Sequence, residues 1–218
     1  MTDETIKKDV VGQLYWDSRI DASDISVNVD DGNVRLEGNV SGNRARIAAQ
    51  EDAMSVVGVR SVTNELDVVY AADTLPEDDK ILTDIKSVLR TDPDIDSSSI
   101  EVYVQDGIAT LKGEVASFWK KQTAEDDAWR VIGVVDVMNE LAVVPTKKLS
   151  DADISKDIIA AYERNAYVEP HDIEVKIENG MVTLSGTVPS WQARAEAVDI
   201  ARYTLGVLAV DDDELAIT

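Results

Sequence analysis

The sequence predicts an α+β protein of three tandem αββαβ modules, each a three-stranded mixed sheet with two helices on one face. Three observations carry this. First, Ile25-Ser-Val27-Asn-Val29-Asp-Asp-Gly32 recurs 75 residues on as Ile100-Glu-Val102-Tyr-Val104-Gln-Asp-Gly107, and after another 73 as Ile173-Glu-Val175-Lys-Ile177-Glu-Asn-Gly180. Second, the register holds beyond that stretch. Leu36-Glu-Gly38-Asn-Val40 returns as Leu111-Lys-Gly113-Glu-Val115 and Leu184-Ser-Gly186-Thr-Val188, and Gly58-Val59 returns as Gly133-Val134 and Gly206-Val207. Third, within each copy the apolar residues switch between helical spacing and strand alternation at matching places. A fixed-period repeat of this length marks one supersecondary unit used several times.

The elements follow in chain order. Ile6, Val10, Val11 and Leu14 line one face of a helix over 4–16, with Ile81, Ile85, Leu89 and Ile154, Ile158, Tyr162 as counterparts. Ile25, Val27 and Val29 alternate with polar residues, which predicts a strand with one buried face. Asp31-Gly32 marks a tight hairpin, as do Asp106-Gly107 and Asn179-Gly180. Val34, Leu36, Gly38 and Val40 make the returning strand. A second helix over 43–57 carries Ala45, Ala48, Ala49, Ala53 and Val56, with Gly58 as its left-handed cap and Gly133 and Gly206 in the same role. Val62, Leu66 and Val68 form a third strand, in which an extra local residue or bulge is expected to break the alternation. Strand, helix and strand then make a crossover of the right-handed kind. The modules are expected at 1–70, 76–145 and 149–218, joined by the acidic linker Ala71-Ala-Asp-Thr-Leu-Pro76-Glu-Asp-Asp and by Pro145-Thr-Lys-Lys-Leu-Ser.

Composition narrows the function. Hydrophobic residues make up 44% of the chain but aromatics only 5%, so the cores are aliphatic. There is no cysteine, which excludes disulfides, thiolate metal sites and cysteine nucleophiles. Forty-three acidic residues against 21 basic ones give a net charge of −22, which repels nucleic acid and anionic headgroups. Residues 1–14, MTDETIKKDVVGQL, lack an apolar leader core, and the expectation from the sequence as written is a cytoplasmic protein, or a periplasmic one if a signal has been removed.

Catalytic and metal-binding patterns are missing. The single histidine, His171, cannot by itself build a zinc site or a Cys/His dyad and is expected in a surface loop. Asp92-Pro-Asp94-Ile-Asp96 opens like a calcium loop, but Ser97 stands where glycine and Tyr103 where glutamate is required. No phosphate-binding glycine motif occurs, and Gly32, Gly38, Gly58, Gly107, Gly113, Gly133, Gly180, Gly186 and Gly206 all have structural accounts. No catalytic, cofactor or metal residue is assigned.

The aromatics point to a surface instead. Phe118-Trp119 follows the second strand of the second copy, and Trp191 aligns with Phe118 in the third, while the first copy has Asn43-Arg44 there. Bulky aromatics at such a corner anchor a partner or a bilayer interface if exposed, and staple a helix or pack neighbouring modules if not. Trp16 and Trp129 are expected inside helices as core or module-contact residues. Phe118, Trp119, Lys120, Lys121 and Trp191 are therefore the candidate partner-binding residues.

The run I-x-V-x-V-x-D/N-G-x-V-x-L-x-G-x-V, then an alanine-rich helix and G-V-x-x-V-x-N-x-L, resembles the BON family (bacterial OsmY and nodulation). Ile25 to Val40 with Gly58 to Leu66, Ile100 to Val115 with Gly133 to Leu141, and Ile173 to Val188 with Gly206 to Val210 carry the resemblance. The second copy departs at Ala109. The third has Asp211-Asp212-Asp213-Glu214 in place of x-x-N-E and is one residue longer. The resemblance implies a non-catalytic module linked to osmotic and envelope stress, to phospholipid attachment and to chaperone-like binding. The expectation is a non-enzymatic, stress-related protein that binds other proteins, with peripheral phospholipid association as the alternative. Lys120-Lys121 and Lys147-Lys148 are the basic pairs available for the latter.

Overall fold

The computed structural model describes residues 1–70 and 76–218. Residues 71–75 of the acidic linker lie outside the described residues. The first module runs α1 (Asp3–Trp16), β1 (Ile25–Asp30), β2 (Asn33–Val40), α2 (Asn43–Ser55) and β3 (Ser61–Val68). The second repeats it as α3 (Asp78–Thr91), β4 (Ile100–Gln105), β5 (Ile108–Val115), α4 (Phe118–Trp129) and β6 (Asp136–Val143). The third is α5 (Asp151–Tyr162), β7 (Ile173–Glu178), β8 (Met181–Val188), α6 (Trp191–Tyr203) and β9 (Ala209–Ile217). The sheets are ordered β1-β2-β3, β4-β5-β6 and β7-β8-β9. In the first and third modules the hairpin is antiparallel and the crossover pair is parallel, giving the expected mixed sheet.

The chain divides into two compact units, Met1–Ile85 with Val104–Ala109 and Ala128–Val137, and Lys86–Tyr103 with Thr110–Asp127 and Met138–Thr218. In the first module, Ile6, Val10 and Leu14 from α1 and Ala45, Ala48, Ala49 and Ala53 from α2 close over Val27, Val34, Leu36, Val40 and Leu66. Alanines let α2 lie close on the sheet. The opposite face is polar and open, with an exposed Arg35–Glu65 pair at 2.6 Å whose contribution is below about 1 kcal/mol. The third module has the same layers, built on Ile154, Ile158, Tyr162, Val182, Leu184, Ala197 and Ala201. Its larger Tyr162 donates its hydroxyl to the Ala197 carbonyl at 3.0 Å, and burial raises that hydroxyl's pKa.

Several local expectations need correction. Val11 is 42% exposed, because the buried stripe of α1 takes only Ile6, Val10 and Leu14. Helix α2 stops at Ser55 with Val56 already extended. Gly58 at φ 91° therefore shapes the following turn, in which the Val59 N–H reaches the Val56 carbonyl, and does not cap the helix directly. The first module's third strand pairs without interruption from Asn33↔Ser61 to Val40↔Val68. The bulge falls in the third module, where Thr183↔Asp211 is followed by Ser185↔Glu214 and the extra residue of the acidic run is accommodated. Trp16, placed in the core or at a module contact by its helix, is 87% exposed at the last residue of α1, beside Tyr15 at 79%.

Two repeated devices tie the elements together. The first aspartate of each leading helix holds the hairpin turn of its own module. Asp3 accepts the Asp31 and Gly32 N–H, Asp78 those of Asp106 and Gly107, and Asp151 those of Asn179 and Gly180, all at 2.8–3.0 Å. These turns carry positive φ at both central residues, as in Asp31 at 48° and Gly32 at 77°, which the asparagine, aspartate and glycine types tolerate. The glycine in each second strand answers a close approach instead. A Cβ at Gly38, Gly113 or Gly186 would stand about 2 Å from the carbonyl oxygen of Asp24, Ser99 or Asp172.

Candidate functional site

The corner between the second strand and the second helix is where the modules differ in chemistry. In the first module it begins with Asn43, which is buried at 4% exposure. Its Nδ2 donates to the Val134 carbonyl at 2.8 Å, and the Tyr70 hydroxyl donates to the same oxygen at 3.1 Å. Val134 ends the second module's turn after α4, so the corner and the end of the first module both grip that turn. Burial also raises the Tyr70 hydroxyl's pKa.

In the second module the corner begins with Phe118. It is 8% exposed and belongs to the third module's core cluster, together with Ile154, Val198 and Val207. Trp119 packs its ring 6.2 Å from that of Tyr203, the last residue of α6. Phe118 therefore takes the module-packing role open to it and is not an exposed anchor. Burying such a ring is worth about 2–3 kcal/mol. Trp119 is partly buried, and Lys120 lies 5.4 Å from its ring centre while donating its Nζ to the Asp94 carbonyl. Lys121 is partly buried, and its own carbonyl accepts from Asn139 Nδ2 at 2.8 Å. The five candidate residues are thus not one patch: four follow one another at the start of α4 and Trp191 starts α6.

The third corner is set up differently. Ser190 caps α6 through the Ala193 N–H, Trp191 is half-buried under the Arg194 guanidinium at 5.7 Å, and Pro189, Ser190 and Gln192 are exposed. Arg194 also repairs the departure from the repeat. In the first two modules an asparagine of the third strand donates to the second helix, Asn64 to the Arg46 carbonyl and Asn139 to the Lys121 carbonyl. The third strand of the third module has no such asparagine. Arg194, at the helix position of Arg46 and Lys121, reaches back to the Leu215 and Asp212 carbonyls at 3.0 Å and pairs with the Asp212 carboxylate at 2.6 Å. The donor has changed sides while the strand and helix remain tied.

No group of three or more metal-capable side chains occurs among the described residues. His171 is exposed in a turn. Asp21 and Asp96, in the acidic lead-ins, cap short 3-10 turns through the Ser23 and Ser98 N–H. A hydrogen bond from the Ser98 hydroxyl lowers the Asp96 pKa, and Ser23 does the same for Asp21. Asp52 on α2 is the opposite case: burial beside Gln13, Asp17 and Arg19 raises its pKa. No helix among the described residues is long and apolar enough to cross a membrane.

Three repeats of a mixed sheet under two helices, each tied by a hairpin-holding aspartate, define a tandem-module α+β protein. The chain belongs to the BON domain family, whose sequence profile matches residues 2–70, 77–145 and 150–218. It is 33% identical over 150 residues to osmotically-inducible protein Y of Escherichia coli (strain K12), covering 65% of this chain and 72% of that protein. It is 40% identical over 110 residues to the outer membrane lipoprotein DolP of Haemophilus influenzae, covering 48% of this chain and 55% of that protein. Its likeness to a solved structure of CdsD, a structural protein of the type III secretion system of Chlamydia trachomatis, has a TM-score of 0.27 at 13% identity over 100% of both chains and carries no argument. The cytoplasmic placement drawn from the sequence is overturned by these relatives, which include an outer membrane lipoprotein and point to the envelope. The composition of residues 1–14, on which that placement rested, carries no weight against them. Neither of these two curated relatives is named for a reaction.

Proposed function

We propose that this chain is a non-enzymatic binding protein of the cell envelope, serving under osmotic stress, whose BON modules at 1–70, 76–145 and 149–218 hold other proteins through their corners. The observation that carries the reading is that the corner already works as a docking element inside the chain. Asn43 and Phe118 each bury themselves against the module that follows. The third corner offers the same element with Trp191 half-buried and its neighbours exposed, the form in which an aromatic anchors a partner. The relatives' names supply the setting, osmotic induction and the outer membrane.

Peripheral phospholipid binding has less behind it. The net charge is −22, and Lys120, one of the basic residues available, is committed to the Asp94 carbonyl and the Trp119 ring.

The test is suppression of aggregation. Purified chain is mixed with a thermally unfolding client, and light scattering is followed for the wild type and for Trp191→Ala. Protection by the wild type that falls several-fold in the variant supports the reading; equal protection removes the third corner from it.

A further inference from the structure

We propose that the chain also binds a second copy of itself head to tail, the Trp191 corner of one copy seating on the Val56–Val59 turn of the other. This rests on the reading of the corner as a docking element and names one partner for it.

The corner and the turn have already been matched twice within the chain. In one compact unit, Asn43 at the first corner donates to Val134, the last residue of the Val131–Val134 turn after α4. In the other, Trp119 at the second corner meets Tyr203, just before the Thr204–Val207 turn after α6, and Phe118 is buried in the core cluster that also holds Val207. The same surface therefore recognises the same turn by a polar contact in one case and an apolar one in the other. Trp191 occupies the Phe118 position, so the third corner is of the apolar kind.

The first module's turn is the matching open surface. Val131 and Gly133 of the second turn are buried, whereas their counterparts Val56 and Gly58 are half-buried and exposed; Val57 between them is exposed at 76%, as Ile132 is at 71% in the second turn. An aromatic seated beside Val57 and Gly58 reproduces apolar packing of the Phe118 type. Donor and acceptor lie on different modules, so the contact is heterologous and continues into longer assemblies or closes into rings.

Charge gives the association an unusual signature. Two copies of net charge −22 repel, and salt shortens the Debye length from about 10 Å at 0.1 M to about 3 Å at 1 M. Self-association through apolar corners therefore strengthens with salt, the reverse of an ion-pair interface.

Sedimentation velocity of the full chain from about 10 µM to about 1 mM, a range suited to a modest heterologous interface, tests this at both salt concentrations. The expected result is growth beyond the 23.8 kDa monomer with concentration, enhanced by salt. Trp191→Asp and Val57→Asp, each checked for a native far-ultraviolet spectrum, should each be monomeric alone. Mixed together they should form a one-to-one dimer and nothing larger, because one intact corner then meets one intact turn. A wild type that stays monomeric throughout, or variants that associate as it does, overturns the proposal. A monomer that still protects clients through Trp191 overturns self-association alone and leaves the corner's binding role in place.

Discussion

Asp151, the first residue of α5, holds the hairpin turn at Gly180: one carboxylate oxygen accepts the Gly180 N–H and the other the Asn179 N–H, each at 2.9 Å. The residues are 28 and 29 positions apart in sequence, and the same separation joins Asp3 to Asp31 and Gly32 and Asp78 to Asp106 and Gly107. The carboxylate also sits in the first turn of its helix, where the helix dipole favours it. Asp151→Ala leaves two turn N–H groups unmatched and should cost about 1–3 kcal/mol. Asp151→Asn keeps one acceptor oxygen and should cost less. Urea unfolding of the two variants, with amide exchange at Gly180, checks the order; equal stability of all three proteins would show the contact to be passive.

Phe118→Ala should loosen a module to which Phe118 does not belong in sequence. Removing the ring empties a site in the third module's core cluster and should cost about 3 kcal/mol. Amide exchange of α6 around Ala197 and Ala201 should accelerate while α1 and α2 keep their protection. Faster exchange confined to the second module would contradict the packing described.

Much of this was legible in the sequence, and the gaps have physical reasons. Periodicity and the Asp-Gly and Asn-Gly pairs give the element order, since alternation and turn chemistry are local. The hairpin-holding aspartates had a usable signal, an Asp at one repeat position in all three copies, but helix-start aspartates are common and the partner lies 28 residues on. Trp16 misleads because helix membership says nothing about which way the last turn faces. Phe118 was legible as a corner aromatic. Its burial was not, because that depends on where the third module sits. Nor could Asn43 be singled out, since its partner is the backbone of Val134 in another repeat.

Arg194→Met should expose the third module's departure from the repeat. The arginine satisfies the Leu215 and Asp212 carbonyls and the Asp212 carboxylate while both side chains are about one-fifth exposed. Its loss should cost about 1–3 kcal/mol, and Asn139→Ala in the second module should cost a similar amount. Thermal unfolding followed by circular dichroism measures both. A near-neutral Arg194→Met beside a costly Asn139→Ala would show that the bulged strand does not need this tie.

Asp52 makes stability depend on pH in a defined direction. Burial raises its pKa in the fold, with the Gln13 hydrogen bond and Arg19 opposing and Asp17 adding to the rise. Between its unfolded and folded values the native state holds more protons than the unfolded one. Its burden is therefore fully present above the folded value and is relieved as pH falls through that window. Asp199, also raised by burial and paired with Arg202 at 3.6 Å, acts in the same sense, so the comparison must be made within one background. Asp52→Asn should be more stable than wild type at pH 7, the gap closing as pH falls toward the ordinary carboxylate range. A gap that widens on acidification would contradict the assignment.

The central claim, that the third corner holds other proteins, is tested most directly by a photo-crosslinking residue at Gln192, exposed beside Trp191, in the native host during an osmotic upshift. The account predicts protein adducts whose masses are not multiples of 23.8 kDa and which vanish when Trp191→Ala is added. Crosslinks to lipid alone, or protein adducts indifferent to Trp191, would contradict it.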